Sequence, residues 1–167
     1  MTNVLDEEMM ALALDEAVGA LRAGGFLVGA VIATGEDVIV KSGRTGKGRS
    51  PQHAEVNAIR LLYEHDYSGN TLRTMTLYTT LEPCIMCVGT ILNARIGRVV
   101  YALEDPYGGA TCILAGPLPP RHARVPVVQA GVLRDGSREL LASFIRSTDL
   151  AFWQDRNNEL VRLCLGL

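Results

Sequence analysis

The sequence predicts an α/β domain in which helices cover a single β-sheet in three layers. The first observation is the order of the periodic segments, which reads α-β-β-α-β-α-β, then a long loop, then β-α-α. The second is size and composition, because 167 residues with 48% hydrophobic and 20% charged side chains suit one globular unit. We therefore expect a single domain over residues 1–167, with no internal repeat or linker.

Each element follows from apolar spacing and from the residues that end it. Apolar residues recur at helical spacing from Leu5 to Leu21, and Gly24-Gly25 supplies a helix end. The Thr-Gly-Glu-Asp turn at 34–37 separates two β-branched runs and predicts a hairpin. The predicted strands are 27–33, 38–40, 76–80, 98–103 and 125–128, and the later helices are 53–64, 84–93, 136–146 and 149–163.

Three further segments are expected to border a site or an interface. The loop from Ser42 to Ser50 carries Arg44, Lys47 and Arg49, which either bind a phosphate or acidic substituent or belong to a solvated loop. The Gly- and Pro-rich segment 105–124 is a candidate lid or substrate loop. The aromatic, amphipathic helix 149–163 is expected to pack on the core or to dock on the partner of a homodimer.

Charge and hydropathy exclude some classes of protein. The formal net charge of -2 offers no sequence-wide reason to bind a polyanion. No basic flank precedes an apolar run at the N-terminus, and no apolar run reaches the roughly 18 residues of a membrane helix, so we expect a cytoplasmic protein without membrane association. In that compartment the four cysteines are expected to stay free of disulfides.

Two short motifs supply metal-binding side chains, and each is predicted to open a helix. The first is His-Ala-Glu at 53–55, and the second is Pro-Cys-Ile-Met-Cys at 83–87. Residues three apart share a helix face, so both sulfurs of the second motif can face one ion. An imidazole with two thiolates is a ligand set suited to zinc.

The number of ligands favours a catalytic site over a structural one. Structural zinc sites use four protein ligands, whereas catalytic sites use three and leave a position for water. The motifs supply His53, Cys84 and Cys87, and Glu55 lies close enough to exchange a proton with a zinc-bound water. Two packing cysteines, a redox pair and a closed structural site are the other interpretations. A fourth ligand would come from Cys112, His65 or His122.

Together, the motifs resemble the cytidine/deoxycytidylate deaminase superfamily of zinc-dependent nucleobase and nucleoside deaminases. The block 80–87 (Thr-Leu-Glu-Pro-Cys-Ile-Met-Cys), with 27–33 and 94–101, resembles the branch that holds guanine, cytosine and tRNA adenosine deaminases. The resemblance covers roughly residues 5–145 and implies a three-layer α/β/α fold, with helices on both faces of a five-stranded mixed sheet. It also implies a homodimer or larger assembly with the active site near a subunit interface.

The resemblance assigns roles to individual residues. It implies a Zn²⁺ cofactor bound by His53, Cys84 and Cys87, with Glu55 as the proton shuttle. The backbone N–H of Cys84 would stabilise negative charge that develops on oxygen during the reaction.

The resemblance also points to substrate contacts, and here the chain departs from its relatives. Ala54 would lie against the substrate ring, and the Leu81 carbonyl would receive the departing amine. Close relatives place an asparagine that contacts the base about eleven residues before the ligand histidine. Counting back from His53 reaches Ser42, and no asparagine lies in that stretch. We therefore expect Ser42 at the usual base-contacting position.

Three functions are consistent with these residues. The first, which we expect, is zinc-dependent hydrolytic deamination of an amino-substituted nucleobase, nucleoside or related small amino-heterocycle, with release of ammonia. The second applies the same chemistry to adenosine in tRNA and yields inosine; the acidic balance, the missing asparagine and the absence of a basic C-terminal tail count against it. The third is a non-catalytic, zinc-stabilised binding subunit, which would have no need of Glu55.

Overall fold

Five strands form one mixed sheet in the computed structural model, which describes residues 3–46, 48, 50–67 and 69–167. The strands are β1 (Phe26–Thr34), β2 (Asp37–Arg44), β3 (Thr76–Leu81), β4 (Arg98–Leu103) and β5 (Val127–Ala130). Their spatial order is β2-β1-β3-β4-β5. Strand β1 is antiparallel to β2 and β3, whereas β3, β4 and β5 run parallel. The predicted five-stranded mixed sheet is confirmed.

Helices cover both faces of the sheet. They are α1 (Val4–Arg22), α2 (Ala54–Glu64), α3 (Ile85–Ala94), α4 (Arg134–Ser147), α5 (Ala151–Gln154) and α6 (Glu159–Leu165). Helices α2 and α3 pack on the face that carries Ala30 and Ile32, while α1 packs on the face that carries Val31 and Ala33. Adjacent residues of a strand point to opposite faces of the sheet, which explains why neighbouring β1 residues contact different helices. Within the described residues, no helix is long and apolar enough to cross a membrane.

Two glycines allow α1 to lie close against strands β1 and β2. A Cβ added to Gly29 would lie 2.1 Å from the carbonyl oxygen of Ala13, and one added to Gly43 would lie 2.6 Å from the Cβ of Ala20. Larger side chains at either glycine would push the helix away from the strands. This close packing fixes the end of β2, which borders the site described below.

Two predicted strand boundaries were wrong for reasons of pairing. Strand β2 continues to Arg44, because Ser42 pairs with Ala30 of β1 rather than opening a loop. Strand β5 begins at Val127 rather than at residue 125. The Val127 N–H donates to the Gly97 carbonyl, whereas the proline before it has no N–H to donate.

The predicted C-terminal helix 149–163 is two short helices, α5 and α6. Asn158 separates them, and its side chain accepts hydrogen bonds from the N–H groups of Leu160 and Val161, which starts α6 anew. Trp153 of α5 stacks on Phe26 of β1, with ring centroids 5.0 Å apart. The tail therefore packs on the core of its own chain, and its docking on a partner stays a prediction.

Candidate metal centre and substrate cavity

The starts of α2 and α3 meet at one point. His53 is the N-cap of α2 and Cys84 is the N-cap of α3, and neither side chain makes a hydrogen bond that caps its helix. An N-cap side chain normally accepts a backbone N–H of its own helix. Because these two do not, the imidazole and the thiol can face each other across the gap. Cys87 lies in the first turn of α3 and is buried beside them.

The three side chains are spaced as zinc ligands. His53 Nδ1 lies 3.5 Å from the sulfurs of both Cys84 and Cys87, and the two sulfurs are 3.6 Å apart. A tetrahedral zinc site needs about 3.5 Å between nitrogen and sulfur and about 3.8 Å between sulfurs. The donor set and its spacing therefore fit one zinc ion.

This cluster of described residues contains three ligands and no fourth. Three protein ligands leave one coordination position for water or substrate, as in catalytic zinc sites. The fourth ligands considered above, Cys112, His65 and His122, lie outside the cluster. The arrangement favours the catalytic interpretation over a closed structural site.

The two cysteines ionise as a pair. A hydrogen bond from Cys87 lowers the pKa of the Cys84 thiol to about 3, and the same bond, with burial, raises the pKa of Cys87. The N-terminal ends of α2 and α3 add positive character, which favours thiolates. Binding of a metal releases the remaining proton, because thiolates are the ligands.

Glu55 lies in the first turn of α2 and is only 3% exposed. Its Oε2 atom has no hydrogen-bond partner among the described residues, and burial raises the pKa of the carboxyl. An unsatisfied buried carboxyl oxygen is unfavourable unless something outside the chain completes it. Water or substrate at the open coordination position would do so, which is consistent with a proton shuttle.

A cavity of about 70 Å³ opens beside the metal ligands. It is lined by Val28, Arg44, His53, Glu55, Leu81, Glu82, Cys84 and Asp105. Of the predicted substrate contacts, Leu81 lies in this lining. Ala54, the first residue of α2, is fully buried in the core, and the Ser42 hydroxyl donates to the Gly43 carbonyl. The structure thus places Ala54 and Ser42 outside the lining, and the substrate roles of all three stay predictions.

Arg44, two residues beyond Ser42 on β2, faces the cavity. Its guanidinium lies 5.2 Å from the centroid of the Phe26 ring, and Nη2 donates to the Gly48 carbonyl at 2.6 Å. Its Nε–H is buried without a partner among the described residues. Burial lowers the pKa of Arg44, while the charges of Glu55 and the cysteines oppose that shift. The other two basic residues of the loop predicted over 42–50 are Lys47 and Arg49, and both lie outside the described residues.

The segment 105–124, predicted to be a lid or substrate loop, starts at Asp105, which lines the cavity. The Glu82 carboxylate accepts hydrogen bonds from the backbone N–H groups of Asp105 and Thr111, each at 3.1 Å. The Ala110 N–H donates to the Pro83 carbonyl at 3.0 Å, directly before Cys84. Residues 105–111 are therefore fixed over the start of α3. Sequence reasoning missed Glu82 and Asp105 at the site, although Glu82 directly precedes the Pro-Cys motif.

Comparison with known proteins agrees with this geometry. Residues 3–103 match the family described as the cytidine and deoxycytidylate deaminase zinc-binding region. The chain is 36% identical over 145 residues to a tRNA-specific adenosine deaminase of Agrobacterium fabrum, covering 84% of this chain and 94% of that protein. It is 34% identical over 158 residues to a tRNA(Ile)-lysidine synthase of Deinococcus deserti, covering 86% of this chain but 30% of that protein.

Solved structures share the fold as well. A structure from a study of A-to-I editing by tRNA:A34 deaminases superimposes with a TM-score of 0.67 at 33% identity, covering 80% of this chain and 98% of that one. Guanine deaminase from Nitrosomonas europaea superimposes with a TM-score of 0.65 at 25% identity, covering 83% of each chain. The family match includes both metal-binding motifs, and their side chains are spaced for zinc. This chain therefore belongs to the cytidine and deoxycytidylate deaminase superfamily and is a zinc-dependent hydrolytic deaminase.

Proposed function

We propose that the chain deaminates adenosine within tRNA to inosine, the second of the three functions considered above. The observation that carries the proposal is the similarity to a tRNA-specific adenosine deaminase along almost the full length of that relative. The net charge of -2 does not oppose it strongly, because phosphate binding depends on where positive charge is clustered. The proposal reverses our expectation of a small-molecule substrate.

The chain's own residues would perform the proton transfers. The zinc ion, when bound, supplies a water molecule activated at neutral pH. Glu55 would take a proton at its unpaired Oε2 and deliver it to a ring nitrogen of the base. The Cys84 backbone N–H would donate to the oxygen that gains negative charge, and the Leu81 carbonyl would receive the departing amine.

The surroundings would hold the base and limit access of bulk water. Val28 and Leu81 give the cavity apolar surface, and the fixed segment 105–111 closes one side. A homodimer and a cytoplasmic location remain part of the proposal. Light scattering of the zinc-loaded protein in solution tests the dimer, and a monomer at working concentration would exclude it.

A second candidate, deamination of free guanine, is favoured by Arg44. Arginine carries only donors, and guanine presents two acceptors, O6 and N7, that an arginine can contact at once. The guanidinium at the cavity has a free Nε–H for such a contact. The small cavity volume also suits a base without attached sugar and phosphate more readily than a nucleotide.

One experiment separates the two candidates. Zinc-loaded protein is incubated with an adenosine-containing tRNA anticodon stem-loop and, separately, with guanine, and inosine and ammonia are measured. The Glu55→Ala variant runs in parallel to show that any product depends on this site. Glu55-dependent inosine supports the proposed function. Ammonia from guanine alone replaces it with the second candidate, and absence of both products contradicts both.

A further inference from the structure

Four arginines from separate parts of the chain line one groove of about 390 Å³. Arg73 belongs to the 3-10 turn Gly69–Thr74, Arg95 follows the end of α3, and Arg121 and Arg124 precede β5. The remaining lining residues are Asn70, Leu92, Pro120 and Ala123, none of which is acidic. A strongly positive groove therefore exists on a chain whose net charge is -2.

Backbone contacts build this arginine groove. A Cβ added to Gly97 would lie 1.9 Å from the carbonyl oxygen of Arg73, so the glycine lets residues 69–74 approach the turn after α3. The Val127 N–H donates to the Gly97 carbonyl at 3.0 Å, which brings the stretch that ends near Arg124 to the same turn. Arg95 lies in that turn, in the left-handed region with φ 64°. The fold itself thus brings the four positive charges together.

The groove arginines lack acidic partners. Some other arginines of the chain form ion pairs, as in Arg60–Glu64, Arg98–Asp6 and Arg134–Glu104. In the part of the chain that the structure describes, none of the four groove arginines forms an ion pair, and the Arg73 Nε–H is buried without a partner. Arg121 makes one weak contact, at 3.5 Å, to the amide oxygen of Asn93. Unpaired guanidinium groups are the side chains best suited to bind phosphate.

We propose that the arginine groove binds the phosphate backbone of an RNA substrate, a few nucleotides from the nucleotide in the cavity. This inference rests on the proposed function in tRNA. Helix α3 connects the two places, with Cys84 at its start and Arg95 at its end. Its 10 residues span about 15 Å, which is about four nucleotides of a stacked strand. The phosphate of a mononucleotide held in the cavity would not extend that far, so the groove fits a polymer.

The test combines Arg95→Gln with Arg124→Gln, two exposed residues whose exchange leaves the core intact. Arg22→Gln is the matched control, since Arg22 is an exposed arginine at the end of α1, on the opposite face of the sheet. Binding of the anticodon stem-loop RNA is measured by fluorescence anisotropy between about 50 and 200 mM salt. Zinc content, the melting temperature and inosine formation are measured on the same samples.

We expect the double variant to bind RNA less tightly and with a weaker salt dependence. Each phosphate contact contributes a slope of about 0.7 for a single strand, so the slope should fall by about 1.4. At 0.1 M salt this corresponds to about a fivefold loss of affinity for each arginine and about 25-fold for both. The KM for the stem-loop should rise by a similar factor, with kcat and zinc content unchanged. Arg124→Gln alone should show about the fivefold loss.

The outcomes for the groove and for the proposed function are separable. A double variant with the affinity and salt slope of the unmodified protein overturns the groove, even if inosine is formed. Groove-dependent binding without inosine supports the groove and overturns the proposed function. If the unmodified protein does not bind the RNA, both the groove and the proposed function are overturned. If Arg22→Gln loses as much affinity as the double variant, the effect is not specific to the groove, and the groove proposal is overturned.

Discussion

Glu55→Gln should separate catalysis from stability. Glutamine keeps the size of the side chain but carries no exchangeable carboxyl proton, so turnover should fall by about 10²–10⁴, or about 3–5 kcal/mol of activation free energy. The carboxyl is 3% exposed and its Oε2 is unpaired. A neutral amide is less costly to bury than an unpaired carboxylate, so the free energy of unfolding should be unchanged or higher by up to about 2 kcal/mol.

The assay follows product formation and urea unfolding on zinc-loaded protein, with bound zinc measured in each sample. Glu64→Gln is the control, because Glu64 lies on the same helix but is exposed and, among the described residues, forms an ion pair with Arg60 alone. The control should lose less than about 0.5 kcal/mol of stability and no activity. Turnover of Glu55→Gln within tenfold of the unmodified protein would refute the shuttle assignment. A clear loss of stability would show that the carboxyl is instead engaged in holding the fold.

Three further outcomes follow from the structure. Arg44→Asn tests the second candidate function. It should lower kcat/KM for guanine, measured by ammonia release, by about 5- to 150-fold relative to its effect on inosine formation from the stem-loop. Cys87→Ser should reduce bound zinc below one per chain and lower the melting temperature, whereas exchange of the exposed Cys112 should do neither. Arg98 holds the pKa of the Asp6 carboxyl below its ordinary value of 3.8. The ion pair therefore stabilises the fold fully above that value, and this stabilisation is lost as pH falls through the lower pKa of the folded state. Asp6→Asn should flatten this acidic part of the plot of unfolding free energy against pH.

The metal centre could be predicted from sequence because it is built locally. His53 and Cys84 each open a helix, and the helix starts depend on a few neighbouring residues. Cys87 follows one turn later, so its direction is determined by helix geometry alone. The only long-range requirement is that two helix starts meet, and the family resemblance supplied it.

The arginine groove could not be predicted in this way. Its members come from positions 73, 95, 121 and 124, and no spacing along the chain marks them as neighbours. What brings them together is the close approach at Gly97 and the pairing of β5 with β4. By contrast, the division of the C-terminal helix was open to prediction, because Asn158 before Glu159 is a typical N-cap pattern.

The cavity shows why the substrate is harder to infer than the reaction. Counting from His53 assigned the base-contacting position to Ser42, which assumes a loop of the family's usual length. The end of β2 is instead set by its pairing with β1 and by the packing of α1 on Gly43, and these leave Arg44 at the cavity. Residues 42 and 44 lie on the same side of a strand, so alternation alone cannot choose between them. The metal ligands lie at helix starts that the local sequence marks, whereas Arg44 lies at a strand end whose position depends on long-range contacts.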